Sequence, residues 1–102
     1  MQLVALKVGG MDQAFAANQT LIADFSFPSP ARAASALLQG FQVARPEGDI
    51  SLLDIGVELF MHFAPGQSAG SVEVRFRLGG SGGILLSSDL IQAEVHVLVA
   101  GT

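Results

Sequence analysis

The chain has no cysteine, no tryptophan and no tyrosine, and only five residues with a fixed positive charge. Without cysteine there is no disulfide, no thiolate nucleophile, no cysteine-bound zinc and no iron–sulfur cluster. The same absence leaves the redox compartment open. Lys7, Arg32, Arg45, Arg75 and Arg77 face nine carboxylates, and the formal net charge of −4 offers no basic field to a phosphate backbone. Nucleic-acid binding is therefore not expected. No apolar run approaches the roughly 20 residues of a membrane span. The N-terminus lacks the basic, apolar and small-residue sections of a signal peptide, so the expectation is a soluble protein that stays in the compartment where it is made.

What is present is apolar. Of the 102 residues 50% are hydrophobic and only 14% charged, a poor allotment for covering a small monomer with its high surface-to-volume ratio. Some apolar surface is expected to be buried between subunits. The length suits one domain, 1–102, able to build a single core without disulfides.

The stretch Ser51 to Phe63 sets the fold class. Leu53, Ile55, Val57, Leu59, Met61 and Phe63 are apolar at every second position, the period of a half-buried β-strand. Asp54, Glu58 and His62 also recur every four residues, as on a helix face, but Gly56 would cost a helix interior about 1 kcal/mol. The stretch is read as the central strand. In a strand, positions four apart stand about 13 Å apart, so these three side chains cannot share one metal ion.

The rest of the chain follows the same pattern. Leu3 to Val8 is a short apolar run closed by a turn at Gly9-Gly10, and Met11 to Asn18 fits a helical turn or a loop. Thr20 to Phe27 alternates with Leu21, Ala23, Phe25 and Phe27 on one face, until Pro28 and Pro30 end it. Ala31 to Ala44 fits either a helix capped by Ser29 and stopped by Gly40, or a strand from about Leu37, and the strand is the favoured reading. Arg45-Pro46-Glu47-Gly48-Asp49 is a turn, as is Ala64 to Gly70. Val72, Val74, Phe76 and Leu78 then alternate with Ser71, Glu73, Arg75 and Arg77, and this strand should form a hairpin with Ser51 to Phe63. Registers such as Leu59 opposite Phe76 and Glu58 opposite Arg77, with His62 near Glu73, keep both apolar faces together. Gly79 to Gly83 resembles a linker, without the lysine and following helix of a phosphate cradle. Ile84 to Leu90 is a short edge strand or a loop, and Ile91 to Ala100 is a last strand with Ala93, Val95, Val97 and Val99 on one face. The sum is an all-β chain: a small antiparallel β-sandwich of about six strands with at most one short helix.

The run Phe25-Ser26-Phe27-Pro28-Ser29-Pro30, leading into Leu38-Gln39-Gly40-Phe41, resembles the second strand of the H-type lectins, six-stranded β-sandwiches of this length. The closing Glu94 to Gly101 is similar to their last strand. The resemblance in element order spans Leu21 to Thr102 and implies a trimer or hexamer that binds galactose-type sugars at subunit interfaces. Those lectins set tryptophan or tyrosine against the sugar, and here Leu78 and Leu98 lie near the corresponding places, so no binding residue carries over.

No catalytic set converges. His62 and His96 sit on polar strand faces, and no serine lies in a nucleophile-elbow context. The sharpest chemical hypothesis joins both histidines with Glu73 or Glu94 at a metal, if their strands are adjacent. A solvated polar face is the simpler expectation, with no metal and no cofactor. The expected function is a non-catalytic homo-oligomeric module, lectin-like with a glycan partner held by groups such as Arg45, Asp49, His62, Arg75 and His96. The alternative is an assembly subunit of a phage particle or other large complex.

Overall fold

The computed structural model describes residues 1–16, 19–44, 52–80, 83–84 and 90–102. The chain forms β1 (Gln2–Ala16), β2 (Leu21–Ser26), β3 (Ala34–Ala44), β4 (Leu52–His62), β5 (Ala69–Gly80), β6 (Gly83–Ile84) and β7 (Leu90–Gly101). Among the described residues there is no helix, so none is long and apolar enough to cross a membrane. One antiparallel sheet has the order β1-β7-β3 and the other β2-β5-β4, with the two-residue β6 paired to the end of β5. The architecture is the small β-sandwich that alternation called for.

The core is made by the two middle strands. Along β7 every odd residue from Ile91 to Gly101 is buried, while Gln92, Glu94, His96, Leu98 and Ala100 face outward. Val95, Val97 and Val99 pack in one cluster with Val72 and Val74 of β5, and β1, β2, β3 and β4 flank them with Leu6, Ala23, Ala36 and Leu59. Branched side chains at alternate positions suit this pleated, sealed surface. At one end Phe25, Phe27 and Phe63 cluster with ring centroids 5.2 to 6.2 Å apart. There the segment between β2 and β3 ties neighbouring elements together: Phe27 N donates to Ser68 O, Ala31 N to Gln67 O, and Arg32 N to Thr102 O. The Gln2 side chain closes the same corner by donating to Ser29 O and accepting from Ser29 N.

Three expectations need correction, and a fourth is sharpened. Leu52–His62 is a strand but not a central one, because β5 and β7 occupy the middles of the sheets. Its hairpin with β5 is shifted by two residues: Leu59 lies opposite Val74 and Glu58 opposite Arg75. A two-residue slip leaves every side chain on its own face, so facial pattern alone could not distinguish the registers. Gly9-Gly10 does not end the first strand. Gly9, with φ of 75°, opens a bulge between Gly10 and Phe15, beyond which Phe15 pairs with Ile91. Ala31 to Ala44, read as strand from about Leu37, is strand already from Ala34 onward. Its alternation was masked by another bulge: Ala34, Ala36 and Leu38 lie opposite inward residues of β7, and after Leu38/Gly40 it is Phe41 and Val43 that stand opposite the inward Val95 and Ala93, Phe41 itself staying 39% exposed.

Candidate functional site

Antiparallel pairing lays the outward side chains in rows across each sheet, so the chemistry of each outer face can be read from register. On the β2-β5-β4 sheet one row is Ile22, Glu73 and Phe60, and the next is Asp24, Ser71 and His62. Glu73 is the hub. Its carboxylate lies 3.4 Å from His62 Nε2 and within ion-pair distance of Arg75, whose guanidinium stands 4.4 Å from the centre of the Phe60 ring. Glu73 Oε2 is shielded from solvent and held by charge proximity to Arg75 without an aligned hydrogen bond. Ion pairs with exposed partners contribute about 0 to 1 kcal/mol each, and an exposed cation–π contact about 0.5 to 1 kcal/mol.

The β1-β7-β3 sheet carries a parallel arrangement. Glu94 accepts from His96 Nε2 at 2.9 Å and lies 3.5 Å from Lys7 Nζ, which stands opposite His96 in the ladder. The His96 hydrogen bond holds the Glu94 carboxyl below the usual glutamate range; Lys7 adds to this, against partial desolvation. Next to this cluster the face turns apolar. Ala5, Leu98 and Leu37 form one row, and Leu3, Ala100 and Ser35 the next, with Leu3 58% and Leu37 55% exposed.

Of the residues singled out in the sequence, His62 and Arg75 meet at Glu73, while His96 stands on the opposite outer face with Glu94. The two histidines therefore cannot share a metal within one chain, and no group of three or more ligating side chains forms among the described residues. Arg45 and Asp49 lie outside the described residues. Among the described residues no nucleophilic triad forms either. Asp24, Ser71 and His62 stand side by side, but serine takes the middle place that a relay requires of histidine, and His62 turns to Glu73.

Two concave features lie on the described surface. A shallow, open groove is lined by Asp24, Phe25, Ser26, His62, Gly70 and Ser71. A cavity of about 430 Å³ lies at the bulge of β1, lined by Gly9, Gly10, Asp12, Gln13, Phe15, Gln19 and neighbours. Sequence reading missed this second feature, because its polar residues occupy the stretch where alternation lapses. The lapse itself, following two glycines, was the available signal. No protein family model matches the chain, and no curated protein and no solved structure matches it either.

Proposed function

We propose that this chain is a non-catalytic assembly module, a β-sandwich that associates with further copies of itself through its outer faces. The observation that carries this reading is the apolar patch of Leu3, Ala5, Leu37, Leu98 and Ala100, aligned in two adjoining rows on the β1-β7-β3 sheet. Exposed apolar side chains occur singly on any protein, whereas a contiguous set on a flat sheet marks an association surface. Ile22, 64% exposed, and Phe60 extend the same character to the other sheet. A low charge content supports the reading from composition.

Mass in solution tests it. Light scattering and sedimentation over a wide concentration range should report oligomers, and Leu37→Glu, at an exposed position, should lower the mass while leaving the β-rich circular dichroism spectrum unchanged. A folded wild-type monomer at every concentration would overturn the proposal. A closed trimer or hexamer fits the lectin-like version of the reading, and an open-ended series fits a particle subunit.

The lectin-like version has one feature in its favour, the groove in which Asp24, Ser71 and His62 offer hydroxyl-binding groups in one row. A glycan array run on the same oligomeric sample tests it. Binding that survives Asp24→Asn and His62→Ala would remove the groove from consideration.

A further inference from the structure

The cavity at the β1 bulge is built by the backbone, and its chemistry is one-sided. Gly9 approaches β7 so closely that a Cβ would meet Ala93 O at 2.5 Å, and its positive φ turns the chain out of the ladder. Residues 11 to 14 are thereby lifted out of pairing with β7 until Phe15 rejoins it opposite Ile91. The Asp12 carboxylate folds back over Gly10, where a Cβ would lie 2.7 Å from Oδ1. Leu21 and Phe15, whose ring packs 5.8 Å from Phe76, give the cavity apolar walls, and Gln13 and Gln19 add amides. None of the described lining residues is a cation, and among the described residues no ion pair engages Asp12. At about 430 Å³ the space falls within the usual range of roughly 300 to 1,000 Å³ for small-molecule sites. Bulges are over-represented beside functional sites because they re-aim side chains that the ladder would otherwise fix.

The geometry points to a binding site for a small organic cation, an ammonium or guanidinium group on a short aliphatic stem. The Asp12 carboxylate supplies the countercharge, the glutamine amides accept the remaining N–H bonds, and Phe15 and Leu21 receive the stem. An anionic ligand would meet the Asp12 carboxylate here, and a purely apolar one would strip water from Asp12 and two amides without replacing their hydrogen bonds. The site is independent of the self-association proposed above, since the apolar patch lies on the outward rows of other β1 residues.

The test uses n-butylammonium chloride as probe, n-butanol as its neutral isostere and sodium chloride as the ionic control, titrated into the ¹⁵N-labelled full chain. Butylammonium should shift the amides of Gly9, Gly10, Asp12, Gln13, Phe15 and Gln19, and butanol should leave them nearly unmoved. Asp12→Asn, an isosteric change at an exposed position, should weaken butylammonium by about fivefold or more, the loss expected when a contact ion pair becomes a neutral hydrogen bond. Asp24→Asn, which removes a carboxylate elsewhere, should not. Three results would each overturn the assignment: no localised shifts, equal shifts with butanol, or an affinity indifferent to Asp12→Asn.

Discussion

Replacing Phe27 by alanine probes the packing that joins the two sheets at one end. Phe27 is only 3% exposed although it lies one residue beyond the end of β2. Its ring packs edge-on to Phe25 at 5.2 Å and to Phe63 at 6.0 Å. The same ring covers Gly101 so closely that a Cβ there would come within 2.6 Å of it. Truncation therefore removes a buried ring from a site walled by β7, β2 and the start of the loop after β4, whose backbone is pinned by the bond from Phe27 N to Ser68 O. Such a site cannot collapse easily, so the loss should fall in the range of about 3 to 5 kcal/mol seen for buried Phe→Ala. A domain of this size has about 5 to 15 kcal/mol in total, so the variant should be folded but marginal. With m near 2 kcal/mol/M, the urea midpoint should fall by about 2 M. The chain has no tryptophan or tyrosine, so far-UV circular dichroism is the natural probe. Wild type and variant need the same protein concentration, because self-association adds to apparent stability. Phe60→Ala is the internal control: that ring is 38% exposed and covered on one face by Arg75, so its loss should be about 1 kcal/mol. Equal losses at the two positions, or less than about 1.5 kcal/mol at Phe27, would refute the claim that the phenylalanine cluster fastens the sheets.

The glycines give a graded series under the same assay. Gly9→Ala combines a φ of 75° with a clash against Ala93 O and should cost about 1 to 3 kcal/mol from the backbone alone. Gly66→Ala, with a φ of 86° but open space around it, should cost about 1 kcal/mol, and Gly40→Ala, which meets nothing within 4 Å, should not destabilise. Glu94 should titrate below an ordinary glutamate when followed by NMR of its side-chain carboxyl carbon, and His96→Ala should raise its midpoint toward that value. Because the folded-state value is the lower one, the Glu94 contribution to stability is present above the unfolded-state pKa and is lost as pH falls through the folded one, so His96→Ala should flatten the acid limb of a stability profile. Glu58→Lys places a second cation opposite Arg75 on an exposed face and should cost about 0 to 1 kcal/mol; a larger loss would mean that this face is covered by another copy.

Strand, face and partner were set at different levels. The strands of Leu21–Ser26, Leu52–His62 and Leu90–Gly101 were legible because side chains on one face of each pack into the core, and burial imposes the two-residue period directly on the choice of side chain. The same logic put His62, Arg75 and His96 on outward faces before any neighbour was known. Where a bulge inserts residues the phase changes, and the sequence loses its period without losing the strand. That is why Ala34–Ala44 remained open to a helix, and why the polar pocket of Asp12, Gln13 and Gln19 went unseen. Register was out of reach for a different reason. Slipping β4 against β5 by two residues conserves every face, so the facial pattern leaves Arg75 and Arg77 equivalent as partners of Glu58, and the ladder pairs it with Arg75. Alternation by itself thus determined an all-β sandwich and, away from the bulges, which side chains face outward. Only the tertiary structure decided that β5 and β7 lie in the middle, that the two histidines stand on opposite faces, and that Leu3, Leu37 and Leu98 share one patch. These depend on pairing between segments far apart in the chain, which no local pattern encodes.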